Sequence, residues 1–268
     1  MKFFTNFYLK EMIRFVFDRL GFKIVKKSSY DELYQMSRSF DDLSILQALD
    51  KEEQTFFLEN LSNSKAQLRQ DIIALIISGK KNNGYFVEFG AFDGRTLSNT
   101  WMLEKKYGWK GILSEPILKL HQEIRKERDA ILETRCVWAT TGQQVEFCET
   151  AKGELSTISQ YVTEDQHRVS RNITRKYNVS TISLTDMLAA YSAPRFVDYL
   201  SIDTEGSELE ILKAFDFSEY SFGFISIEHN YTEDEKEIDA LLSRNGYIRY
   251  LKDISNFDGW YVKETNHV

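Results

Sequence analysis

Three apolar runs in this chain each end in an acid beside a turn. Phe86-Val87-Glu88 passes through Phe89 into Gly90-Ala91-Phe92-Asp93-Gly94, Ile112-Leu113-Ser114 passes into Glu115-Pro116, and Tyr199-Leu200-Ser201-Ile202 passes into Asp203-Thr204-Glu205-Gly206. The first reads as strand, glycine turn and helix start, the cradle an α/β sheet offers a nucleotide cofactor. Charge narrows the choice. A pyrophosphate seeks bare backbone N–H groups at a helix N-terminus, and Glu88 and Asp93 would repel it. Both suit a cation, and S-adenosylmethionine carries a sulfonium and an ammonium but no phosphate. The spacing Gly90-x-x-x-Gly94 also departs from the G-x-G-x-x-G of an NAD site, which disfavours an oxidoreductase.

Glu115 follows Gly94 by 21 positions, about where such sheets supply a carboxylate to ribose hydroxyls, and Pro116 ends the strand. Asp203 and Glu205 sit where reacting groups would lie, and helix capping is their competing role; Glu208 reads as a cap. The run Phe224-Ile225-Ser226-Ile227-Glu228 leads to His229, the candidate general base for an alcohol acceptor, with Asp203 orienting it or taking the proton itself. A rival reading gives Asp203, Glu205, Glu228 and His229 to a divalent metal such as magnesium or calcium. His121, His167 and His267 read as surface residues. Tyr161, Tyr231, Trp260 and Tyr261 are candidates to stack on a sugar, with core packing as the alternative.

In combination, Phe86 to Gly94, Ser98-Asn99-Thr100, Gly108-Trp109-Lys110-Gly111-Ile112-Leu113-Ser114-Glu115-Pro116 and Ser201-Ile202-Asp203-Thr204-Glu205-Gly206-Ser207-Glu208 resemble the FkbM-type methyltransferases over roughly residues 84–262. The resemblance implies a class I Rossmann-like fold, S-adenosylmethionine as methyl donor, and O-methylation of a sugar or macrolide-type natural product. By motif position it makes Glu88, Gly90, Asp93, Gly94, Glu115, Pro116 and Asp203 cofactor residues, with Asp203 and Glu205 between cofactor and acceptor. The expected acceptor is a carbohydrate hydroxyl, on a surface glycan, nucleotide-sugar or glycoside. A partner-tethered or membrane-tethered binding module is the alternative, as is a non-sugar natural product.

Positioning these groups takes alternating strands and helices. Strands are expected at 85–89, 111–114, 135–139, 196–202, 223–228, 246–252 and 258–263, with helices between them at 97–106, 117–127, 184–191, 206–214 and 233–244. That rhythm predicts a mostly parallel sheet covered on both faces. The short link before 258 demands a hairpin, so one strand near the C-terminus runs antiparallel. Residues 140–182 break the rhythm and read as a strand pair with a mobile loop. Residues 1–80 read as helices (5–19, 30–49, 51–60 and 64–79), a helical extension for docking, oligomerisation or lid duty before a methyltransferase domain at 81–268. Residues 2–20 alternate basic and aromatic side chains, as in an interfacial helix at an anionic membrane or a helix packed on the domain or a partner such as a glycosyltransferase.

The chain has 268 residues and a net charge of −7, and no basic tract marks a nucleic-acid groove. Cys136 and Cys148 lack metal spacing and read as buried free thiols of a reducing compartment. No signal peptide is evident, which points to the cytoplasm, with peripheral membrane contact as an added option.

Overall fold

The computed structural model describes residues 19, 26–151, 153, 156–161 and 172–264. The expected helix at 5–19 falls outside them apart from residue 19. The chain divides into two compact units, Met1–Ile45 and Leu46–Val268. Helix α1 (Lys27–Ala48) makes up most of what is described of the first.

The second unit is built on a seven-stranded sheet. Its strands are β1 (Tyr85–Phe89), β2 (Lys110–Ser114), β3 (Ile131–Glu133), β8 (Phe196–Ile202), β9 (Ser221–Glu228), β10 (Tyr247–Arg249) and β11 (Asp258–Lys263), in the order β10-β11-β9-β8-β1-β2-β3. Every pairing from β3 through β9 is parallel. β11 alone runs against its neighbours, antiparallel to both β9 and β10. This is the expected class I Rossmann-like arrangement, with its C-terminal hairpin where the short link required one.

The central strands are buried on both faces, so they read as continuous apolar runs. Val87, Ile112, Val197, Leu200, Phe222 and Ile225 are all 0% exposed. Each such side chain contributes about 1.5–3 kcal/mol on burial. Helices α4 (Trp101–Tyr107), α5 (His121–Glu127), α6 (Leu184–Ala190), α7 (Glu208–Lys213) and α8 (Asp234–Arg244) connect the strands. Leu184, Met187, Leu209, Leu212, Ile238 and Leu242 belong to the same core as those strands.

Helices α2 (Lys51–Asn60) and α3 (Gln70–Ile77) precede the sheet. Asp50 opens α2 with a capping box: its Oδ1 accepts from the N–H groups of Glu52 and Glu53, and Glu53 Oε2 accepts from Asp50 N. Helix α3 starts at 70, not at 64. The Asp71 carboxylate accepts from Ser64 Oγ at 2.7 Å and Lys65 N at 3.1 Å, which folds the preceding residues into a turn. Its next residues, Ile72 through Leu75, are completely buried.

Residues 135–139 do not form a strand of this sheet. β3, which sequence alone did not reveal, takes the sheet edge, and the chain then leaves to build a second sheet. That sheet has the order β4-β7-β5-β6, from β4 (Cys136–Val137), β5 (Gln144–Thr150), β6 (Thr157–Ile158) and β7 (Ile173–Ile182). β5 and β7 supply the expected strand pair within 140–182, and it is antiparallel.

Candidate active site

A cleft opens beyond the carboxyl ends of β1, β2, β8 and β9, enclosing about 1100 Å³ up to its open mouth. Such sheets bind ligands at this edge. Glu88, Glu115, Asp203, Glu205, Glu228 and Asp258 line it, and no lysine or arginine does among the described residues.

Glu88 is the penultimate residue of β1, in register with Ser201 of β8. Its carboxylate accepts from Ser98 Oγ, from Asn99 N at 2.7 Å and from Thr100 Oγ1. These bonds hold residues 98–100 as a loop, so α4 begins at Trp101 and not at 97. Behind Glu88 lies Arg128, whose side chain is fully buried, with Nη1 3.7 Å from the carboxylate. Arg128 also donates to Glu104 Oε2, the Gly94 carbonyl and Thr100 Oγ1 at 2.8–2.9 Å. Glu88 therefore shapes the cleft, and its charge is compensated from within the fold. Neither the chain order nor the composition flagged Arg128.

Gly90 has φ +73° and leads the turn across the end of β8. Asp93 does not line the cleft. Its Oδ1 accepts from Arg95 N at 2.8 Å and Thr96 N at 2.6 Å, and its Oδ2 from Thr96 Oγ1 at 2.6 Å. The expectation that Asp93 meets a cationic cofactor is thus corrected: its carboxylate braces its own turn, a common use of aspartate. Gly94, expected among the cofactor residues, is also off the cleft wall; at φ +82° it gives passage to Arg128, whose Cγ lies 3.0 Å from where a Cβ would be.

Glu115 and Pro116 do line the cleft. Glu115 Oε2 accepts from Phe92 N at 2.9 Å and Oε1 from Ile117 N at 2.8 Å, which fixes the carboxylate while leaving each oxygen a further lone pair. Burial, reinforced by the nearby charge of Glu149, pushes its carboxyl up to about 7.

Across the cleft, carboxylate oxygens of Asp203, Glu205 and Glu228 lie within 4.8 Å of one another. Asp203 and Glu228 face each other within that group. Burial and the charge of Glu208 raise Asp203 to about 7, and burial beside Asp203 holds Glu228 well above the usual carboxylate range. Such a pair holds one proton between two groups. Glu205 has φ +60° at the loop apex, and its carbonyl accepts from Thr157 Oγ1 at 2.9 Å. Glu208 reaches back to accept from the N–H groups of Thr204 and Gly206, so it braces this loop at the start of α7 as a cap would.

His229 lies elsewhere. It is buried, does not line the cleft, and borders a second cavity on the α8 side. Its Nδ1 accepts from Tyr231 N at 3.1 Å, while Nε2 faces Arg249 at 3.4 Å and Glu235 at 3.7 Å. Burial lowers its basicity. The expectation of a general base facing the cofactor is corrected on this geometry. Trp260 and Tyr261 are core residues, 0% and 1% exposed, and stack on no sugar; Tyr161 and Tyr231 border the second cavity. Cys136 and Cys148 are buried free thiols.

Four further residues line the cleft that the sequence did not mark as site residues. Gln67 and Gln70 come from the α3 region, and Asn99 Oδ1 is a buried acceptor without a partner. Asp258 accepts from Gln70 Nε2 at 2.7 Å and lies opposite Glu228 in the β9–β11 register.

The family model described as Methyltransferase FkbM domain matches residues 88–249. No curated protein matches the chain. Among solved structures, the precorrin-6y C5,15-methyltransferase of Geobacter metallireducens is similar at 11% identity and TM-score 0.38, covering 67% of this chain and 71% of its own. A SAM-dependent methyltransferase of Aquifex aeolicus is similar at 7% identity and TM-score 0.34, covering 76% and 96%.

Proposed function

The chain belongs to the FkbM methyltransferase family and is a methyltransferase of the S-adenosylmethionine-dependent kind; on that footing we propose that it methylates oxygen, at a hydroxyl of a carbohydrate. The observation that carries the cofactor reading is the donor set of the cleft: six carboxylic acids, no lysine or arginine among the described residues, and an unpaired buried amide oxygen on Asn99. That set attracts a cation and repels a phosphate. Glu115 would hold the ribose hydroxyls, Asn99 would accept from the ammonium, and Ile117, Val137 and Phe147 offer an apolar wall for the purine. Bound there, S-adenosylmethionine supplies a methyl group already activated on a positively charged sulfur.

The chain's own residues must then align an acceptor and take a proton, since an alcohol is too weak an acid to react without a base. Oxygen is favoured as acceptor because acids surround the reacting edge and can receive hydroxyl protons. Tyr161 and Tyr231 beside the second cavity support a sugar.

Labelled S-adenosylmethionine incubated with a panel of glycans, glycosides and macrolide alcohols tests this. Label on a sugar oxygen is expected; label only on nitrogen, carbon or a non-sugar alcohol would replace the reading. A divalent cation is the second reading, favoured by the closeness of Asp203, Glu205 and Glu228. Turnover that survives exhaustive chelation would remove it.

A further inference from the structure

The cleft and the second cavity share a wall, because Glu228 lines both. The second cavity encloses about 1320 Å³ up to its open mouth. The turn 206–208 forms one side and the segment from the end of β9 into α8 the other, with Tyr161, Glu208, His229, Tyr231 and Asp234 among its walls. No lysine or arginine lines it among the described residues. Tyr231 is 64% exposed, an aromatic face held at the mouth.

Glu228 is the odd group in this wall. Its Oε2 is buried with no hydrogen-bond partner, and its carboxyl lies beside that of Asp203. A buried polar atom left unsatisfied costs stability, and the fold keeps it. The charges of Glu88, Glu205, Glu208 and Asp258 also bear on the pair, so four further acids crowd it. His229 cannot stand in, since its ring is turned to Tyr231, Glu235 and Arg249.

We propose that the acceptor occupies this second cavity as an uncharged or cationic polyhydroxylated molecule, its reacting hydroxyl at the shared wall, and that the Asp203–Glu228 pair takes the hydroxyl proton. The proposal rests on the methyl-transfer reading and narrows its substrate. The O–H bond breaks and its proton goes to the ionised member of the pair. The oxygen's electrons form the new O–C bond as the donor's C–S bond parts with its electrons left on sulfur. One sulfonium and one carboxylate become one thioether and one carboxylic acid, so charge and atoms balance. The same acids would repel a phosphorylated acceptor such as a nucleotide-sugar, which selects by penalty as much as by contact.

The full chain loaded with S-adenosylhomocysteine tests this by saturation-transfer NMR, with methyl α-glucopyranoside, methyl glucosaminide and UDP-glucose as probes. Calorimetry with S-adenosylhomocysteine is run beside every variant. At least one of the two glycosides should receive saturation and UDP-glucose should not, and Tyr231→Ala should weaken the glycoside signal while leaving S-adenosylhomocysteine affinity unchanged. In protein labelled at glutamate carboxyls, the resonance lost in Glu228→Gln should shift when the glycoside is added. With an acceptor in hand, Glu228→Gln should lower turnover ~10²–10⁴-fold, as removal of a general base does. A preference for UDP-glucose, silence from both glycosides, or a Glu228 resonance blind to them overturns the proposal. Failure of S-adenosylhomocysteine to bind would instead strike the cofactor reading on which it stands.

Discussion

The carbonyl oxygen of Asp203 lies 2.2 Å from where a side chain on Gly90 would place its first carbon. The turn after β1 and the acid that follows β8 are therefore in direct backbone apposition, which only a residue without a Cβ permits without a shift. Gly90→Ala must resolve that overlap and also hold φ near +73°, a conformation that costs an ordinary residue about 1–2 kcal/mol before any clash. The variant should lose S-adenosylhomocysteine affinity in calorimetry and show a lower urea midpoint. Wild-type affinity would mean the turn can move away from β8 without harming the site.

Arg128 gives the second prediction. Its guanidinium is fully buried and bridges Glu88, Glu104 and the loop that carries Asn99. Removing one partner of a buried ionic network leaves the other charges uncompensated, at about 3–5 kcal/mol. Arg128→Met should cost that much in urea unfolding. Arg128→Lys should recover little, because one ammonium cannot reach partners spread around a planar fork. A loss below about 1 kcal/mol, the scale of an exposed pair, would show that the network adds nothing to the fold.

Sequence revealed the acids at the strand ends because burial forces central strands into apolar runs, and an acid that interrupts one is conspicuous. It could not tell which acids face the cleft. Asp93 and Glu115 have the same chemistry and similar turns beside them, yet one bonds its own loop and the other lines the cavity. Glu228 and His229 are adjacent at a strand end, where successive side chains point to opposite sides; that parity separates the acid beside Asp203 from the imidazole beside Arg249. The strand pair within 140–182 is legible, but the ten-residue extent of β7 is not, because Thr174, Arg175, Lys176 and Asn178 are polar and open to solvent and read as part of a charged loop. Gln67 and Gln70 carry no signal at all, since a glutamine beside an apolar helix looks the same wherever it points.

The raised carboxyls predict a pH dependence of stability. Asp203 and Glu115 are pushed up to about 7, and Asp71 and Asp258 to about 6, chiefly by burial. An unfolded carboxyl titrates near 4. Between about pH 4 and 7 the native chain therefore binds more protons than the unfolded one, and stability falls as pH rises through that window. Asp203→Asn removes one such group without removing its volume. It should leave the urea midpoint near wild type at pH 4 and raise stability at pH 8 by about 1–3 kcal/mol. Equal effects at both pH values would show that Asp203 titrates normally.

Helix α3 decides how much of the N-terminal region the site requires. Ile72, Ile73, Ala74 and Leu75 are 0% exposed, and Gln67 and Gln70 line the cleft, with Gln70 bonded to Asp258. Three of those four are large aliphatic residues, each contributing about 1.5–3 kcal/mol on burial, against a net stability of about 5–15 kcal/mol for a typical domain. Deleting residues 1–80 should therefore give protein that aggregates or shows no cooperative unfolding. Deleting residues 1–45 leaves the second compact unit whole and should preserve both cooperative unfolding and S-adenosylhomocysteine binding. If the longer deletion instead kept full cofactor affinity and lost only attachment to a membrane or partner, residues 46–80 would be a tether and the two glutamines bystanders to the cleft.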